Sequence, residues 1–212
     1  MSDPSCPPVV AARRRCARCL RPAGYCLCHL LPHIAARTQI LVIQHPDEQR
    51  HALNTARLLV AGLADAELLV AERLSEQRCE QLLDAAWRTE LLFPGHGASP
   101  LQPTTVDERP RRLVLLDGTW RKARKLLYLN PVLQQLPQVA LPEGLRSRYR
   151  LRKAPSAGAL STIEAGMQAL QMLEPDVDFS PLLAPFDALI EGQIRAMGEA
   201  VYQRNHEKPR PD

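Results

Sequence analysis

"TQILVIQHPDEQRHALNTARLLVAGLADAELLVAE", residues 38–72, decides the fold. It begins as a short apolar run, "TQILVIQ", of the kind that forms a strand buried on both faces. The following segment places Leu53, Ala56, Leu59, Val60 and Leu63 on one helical face, which predicts a helix over 47–63 ending in a glycine region. "ELLVAE", residues 67–72, is a second strand. Short apolar runs that alternate with amphipathic helices predict an α/β fold, with a mainly parallel sheet flanked by helices.

The alternation continues outward. Ser75 stands where an N-cap is wanted and predicts a helix over 76–88, with Cys79, Leu82, Leu83 and Ala86 at helical spacing. "ELLF" (90–93) and "RLVLLD" (112–117) are further buried strands, separated by the Pro- and Gly-rich loop 94–110, whose length marks it as functional or mobile. A helix runs from beyond Asp117 to about Leu129, where Asn-Pro stops it. "QVAL" (138–141) and "RYRLR" (148–152) predict short strands. "STIE", residues 161–164, is a capping box opening a helix through Leu173. The last helix, 185–203, aligns Phe186, Leu189, Ile190, Ile194, Met197 and Val201.

With 212 residues and 45% hydrophobic content, the chain suits one core, alone or with a small module. No run approaches the roughly 18 apolar residues of a spanning helix, and the Arg-rich start lacks the apolar segment of a signal peptide. A soluble, cytoplasmic protein is expected, with no membrane partner. The net charge of +4 is unevenly spread. Residues 13–37 hold six arginines and no acid, residues 109–125 hold seven cations against Asp117 alone, and Arg146, Arg148, Arg150, Arg152 and Lys153 form a third block. Residues 164–199 carry seven carboxylates and only Arg195. This asymmetry points to a polyanion partner on one face.

Four motifs carry chemistry. In "CARCLRPAGYCLCHL", Cys16, Cys19, Cys26 and Cys28 form two knuckles able to close a tetrahedral, structural zinc site, which would contribute about 10 kcal/mol or more to folding the module. His29 is an alternative ligand, reduced or disulfide-bonded cysteines are the bland reading, and Cys6 and Cys79 stand apart. At the end of the first strand, His45, Asn54 and Thr55 are polar groups available to a cleft or to structural hydrogen bonds. "LLDGTWRKARK" puts Asp117 at a strand end, Gly118 in the turn, Thr119 at a helix cap and Trp120 beside Arg121, Lys122, Arg124 and Lys125. The acid there can accept a proton or hold a cation, and the indole can stack on a base. In "YRLRKAPSAGALSTIEAG", cations precede the capped helix, and Glu164 either closes the capping box or faces the cleft. The Walker, G-x-S-x-G, H-E-x-x-H and G-x-G-x-x-G patterns are absent, which excludes the commonest nucleotide, hydrolase and dinucleotide classes.

In order, the cysteine knuckles, "HPDE" with "NT", "LFPG", "LDGTWRKA" and "YRLRKAPSAGALSTIEA" resemble the DTW-domain family of tRNA-uridine aminocarboxypropyltransferases, related to the SPOUT-like knotted α/β enzymes. The likeness spans about Cys16 to Val201; His51 departs from a family position more often Lys. The resemblance implies a four-cysteine zinc module over 1–37, a catalytic domain over 38–205 with a C-terminal trefoil knot, and a disordered tail over 206–212. It implies S-adenosylmethionine as co-substrate, whose 3-amino-3-carboxypropyl chain passes to N3 of an unstacked tRNA loop uridine and leaves 5′-methylthioadenosine. Asp117 is then the base or an electrostatic support, with Thr119 and Trp120 beside it. Phe93, Pro94, Gly95, Gly118, Ser161, Thr162 and Glu164 enclose the cofactor. Arg121, Lys122, Arg124, Lys125, Arg150, Arg152, Lys153, His45 and Asn54 contact RNA, and the arginines of the zinc module extend that grip. A monomer is expected. An RNA methyltransferase using the same cofactor and a noncatalytic zinc-ribbon RNA-binding protein are the alternatives.

Overall fold

The computed structural model describes residues 14–95, 97–103, 108–151 and 159–204. Six strands form one sheet: β1 (Gln39–Gln44), β2 (Ala66–Val70), β3 (Arg88–Leu92), β4 (Ser99–Pro100), β5 (Arg111–Asp117) and β6 (Gln138–Ala140). Their order is β2-β1-β5-β3-β6-β4, and every pairing is parallel. All strands therefore end on the same edge, and β1 lies beside β5 in register, Gln44 opposite Asp117.

The apolar runs are explained by burial on two faces. Ile40, Val42, Leu113 and Leu115 point to one core, shared with α1 (Thr55–Gly62), α5 (Thr162–Leu173) and α6 (Ala184–Met197). Leu41, Ile43 and Val114 point to the other, shared with α2 (Glu76–Leu82), α3 (Trp120–Leu129) and α4 (Val132–Gln135). Helices α1 and α5 meet through a glycine, since a Cβ on Gly166 would lie 2.5 Å from Leu59 Cδ2. The cysteine module joins the first core, with Leu27 buried in it and Ile34 bridging to Leu63.

Four expectations are corrected. The helix predicted over 47–63 is a 3-10 turn at Pro46–Glu48 followed by α1, because the Asn54 side chain accepts from Arg57 N and caps the helix there. The helix predicted over 76–88 ends at Leu82; the Asp84 carboxylate accepts from Ala86 N at 2.9 Å and turns the chain into β3. "RYRLR" forms no strand over its described residues 148–151, because the Arg148 N–H, which a ladder would use, donates to Glu164 at 2.6 Å. The last helix stops at Met197, where Gly198 adopts φ 89°, and a short α7 (Glu199–Tyr202) follows. The expected tail over 206–212, Cys6, Arg152 and Lys153 lie outside the described residues.

Candidate active site

The carboxyl ends of β3, β5 and β6 surround a cavity of about 880 Å³, within the range of small-molecule sites. Phe93, Pro94, Gly118, Trp120 and Thr162 line it, so three separate motifs of the sequence converge on one volume. Trp120 begins α3 and meets Phe93 edge to face, ring centroids 5.8 Å apart, which gives the wall an aromatic corner. Gly118 has φ 156°, and a Cβ there would come within 3.0 Å of Lys122 Cβ, so the turn into α3 favours glycine.

Asp117 stands at the end of β5, one hydrogen bond behind the cavity. Its Oδ1 accepts from the Thr162 hydroxyl, and its Oδ2 accepts from Gln44 Nε2 at 2.8 Å. Gln44 Nε2 also donates to Asn54 Oδ1 at 3.1 Å, so one amide ties Asp117 to the cap of α1. The pairing of β1 with β5 puts Gln44 there, while sequence reasoning saw only the end of a strand. Glu143 and Arg146 were also missed as lining residues; they follow β6 in "LPEGLR", and a loop after a strand end was the available signal.

Thr119 takes the capping role, accepting from Lys122 N at 3.3 Å, and is exposed. Gly95 is exposed next to Pro94 and outside the lining. Ser161 and Glu164 form the capping box of α5. Glu164 is buried and accepts from Ser161 N, Ser161 Oγ, Ser147 Oγ and Arg148 N, so its carboxylate binds the loop before α5 instead of facing the cavity.

The basic residues sort into different environments. Lys122 pairs with Glu48 at 2.8 Å, and that hydrogen bond raises its pKa. Lys125 pairs with Glu72, whose carboxyl it holds below the usual range. Arg150 pairs with Glu191, and Arg124 Nε donates to the Trp120 carbonyl at 3.4 Å. Among the described residues, Arg121 and Arg146 have no ion-pair partner. His45 is buried; its Nδ1 accepts from Asp47 N, which leaves Nε2 to donate to Glu72 at 3.1 Å. His45 and Asn54 thus hold the 46–54 segment in place. Arg18 and Arg21 donate to the carbonyls of Ala61 and Ala52, so these arginines of the module first fasten it to the domain.

The cysteine knuckles come together in space. Cys16, Cys19, Cys26 and Cys28 Sγ atoms lie within 4.8 Å of one another, with Cys16 to Cys28 at 3.5 Å and Cys19 to Cys26 at 3.8 Å. Tetrahedral zinc with Zn–S of about 2.3 Å requires S···S of about 3.8 Å, which this donor set fits. Backbone N–H groups of Cys19 and Arg18 lower the Cys16 thiol to about 6, whereas burial pushes Cys28 up to about 12. A bound cation would overcome that second cost by ionising the thiol it ligates.

A family model described as the DTW domain matches residues 13–194. tRNA-uridine aminocarboxypropyltransferase 2 of Drosophila melanogaster is 32% identical over 213 residues, covering 94% of this chain and 84% of that protein. The protein of the same name from Mus musculus is 35% identical, covering 89% of this chain and 67% of that one. tRNA-uridine aminocarboxypropyltransferase A of Arabidopsis thaliana is 30% identical, covering 77% and 74%. No solved structure matches.

Proposed function

The chain belongs to the DTW-domain family, and on that premise we propose that it transfers the 3-amino-3-carboxypropyl group of S-adenosylmethionine to N3 of a tRNA loop uridine. The observation that carries this reading is the cavity itself: Phe93, Gly118, Trp120 and Thr162 meet there, backed by Asp117. When bound, the co-substrate supplies an electrophilic propyl carbon on its sulfonium. The reaction forms an N–C bond, breaks a C–S bond and releases the N3 proton, with the electron pair leaving on sulfur as 5′-methylthioadenosine.

The chain supplies position and a path for that proton. Because the Thr162 hydroxyl donates to Asp117, its oxygen is left to accept, so a proton from N3 can enter at Oγ1 as the hydroxyl proton passes to Asp117. Trp120 and Phe93 exclude water and offer aromatic faces to a base or an adenine. Arg146 and Glu143 place opposite charges on the rim, matching the carboxylate and ammonium of the transferred chain. The four-cysteine site holds structural zinc in this reading, and Arg121 and Arg124 face the RNA. The reading includes a four-cysteine module over 1–37, a domain over 38–205 with a SPOUT-like C-terminal knot, a monomer, and the cytoplasm, where thiols stay reduced.

Mass spectrometry of tRNA incubated with the protein and S-adenosylmethionine tests it. An aminocarboxypropyl adduct on uridine is expected. A methyl adduct would instead identify a methyltransferase, and no adduct despite tRNA binding would identify a binding protein.

A further inference from the structure

A second cavity, of about 760 Å³, opens between the cysteine knuckles, the 49–57 segment and α6. Its wall carries Arg15, Arg21, Arg50 and Arg57, and among the described residues no carboxylate lines it. Two of these arginines are held without a carboxylate. Several surface cations meet carboxylates, as in Arg37 with Asp176, Arg78 with Glu67 and Arg148 with Asp187, whereas Arg18 and Arg124 also donate to carbonyls. Here the acceptors are neutral: Arg15 Nη1 donates to the Leu20 carbonyl at 3.2 Å, and Arg21 donates to the carbonyls of Tyr25 and Ala52, both at 2.9 Å. A carbonyl fixes a guanidinium in direction without cancelling its charge, so the cavity holds oriented cations before any ligand arrives.

Arg57 joins this wall from α1, with its Nε enclosed by protein. A further observation points to the occupant. Tyr25, on the same wall, is 56% exposed, although a tyrosine that size normally packs. Oriented cations beside an uncovered aromatic ring fit phosphate and base together, the chemistry of single-stranded nucleic acid. A protein surface would bring carboxylates, which suit the arginines but leave the ring unexplained.

We propose that this cavity binds an unstacked nucleotide of the tRNA, its phosphates on Arg50 and Arg57 and its base on Tyr25, away from the nucleotide that is modified. This rests on the reading of tRNA as the substrate. The zinc module then serves as half of an RNA clamp whose other half is the 49–57 segment leading into α1, and Arg15 and Arg21 set its opening.

The test measures the affinity of the full chain for tRNA across salt concentrations in R50Q/R57Q, in R50K/R57K and in Tyr25→Ala. R50Q/R57Q is expected to raise Kd at least tenfold and to lower the slope of log K against log salt by about 1.4, as loss of two single-strand phosphate contacts requires. Tyr25→Ala is expected to raise Kd roughly tenfold with the slope unchanged. R50K/R57K keeps the charge and should restore the slope. Bound zinc and S-adenosylmethionine affinity, unchanged in every variant, verify that the fold is intact. A Kd and slope in R50Q/R57Q equal to those of the parent would overturn the proposal, even if the uridine adduct forms normally. Conversely, the expected losses in a protein that makes no adduct would keep the clamp and refute only the transfer reaction.

Discussion

In the proposed reaction Thr162 is the pivotal residue, since it connects the cavity to Asp117. Thr162→Ala removes the hydroxyl and should lower transfer about 100-fold or more, within the usual range for a positioned acid or base, while Thr162→Ser should recover most of it. Adduct formation under single-turnover conditions reads both. Asp117→Asn should lose a similar factor, because Gln44 keeps the amide oxygen on its own side and turns the amide NH₂ toward Thr162. At the opposite end of α5's first turn, Gly166→Ala should cost about 1–3 kcal/mol, since its Cβ would meet the fully buried Leu59 at 2.5 Å; thermal denaturation checks this. Asp117, Trp120 and Thr162 were all legible in the sequence, because a strand end, an aromatic and a capped helix have local signatures. Gln44 was not, because its part depends on which strand lies beside β5, and local pattern carries no information on that.

At the level of elements, the capping box of α5 shows how one local signal can have a distant effect. "STIE" announced the cap, but the same carboxylate also gathers Ser147 and Arg148, and over the described residues 148–151 that displaces the strand expected at 148–152. Glu164→Ala would orphan these donors together, with an expected loss of several kcal/mol by analogy with other buried charged groups. Calorimetry would detect it as a large fall in melting temperature. The segment leading into β1 is tied to the loop after α5 by Arg37, whose guanidinium holds Asp176 down to about 2 from an ordinary 3.8. With the folded value depressed, this pair's stabilisation is present above about pH 4 and disappears as pH falls toward 2. The parent and Asp176→Asn should therefore differ in melting temperature at neutral pH and converge near pH 2. Because both groups are exposed, added salt should shrink the difference.

On the scale of the whole molecule, the parallel sheet divides what the sequence had placed together. Residues 109–125 read as one basic block, yet β5 runs through it and separates Arg111 from the cations after Asp117 by about 20 Å of strand. Arg111 and Arg88 converge on the buried Glu90, and Arg112 covers Trp87 at 4.3 Å, so the first half of the block supports the fold. Metal removal tests the molecule at this scale. A strong chelator should leave the far-ultraviolet circular dichroism of the sheet and helices largely intact but weaken tRNA binding, since the knuckles form one wall of the basic cavity. A hydrogen-bond chain links the walls of the two cavities through Gln44, whose single amide nitrogen serves Asn54, on the second cavity's wall, and Asp117, which bonds Thr162 on the first. An amide transmits position but does not conduct protons at ordinary cost, so this joint is a mechanical coupling and an electrical insulator. In the proposed reaction, movement of the 49–57 segment reaches the reacting end through this joint, whereas a proton held by Asp117 does not pass along it to the second cavity.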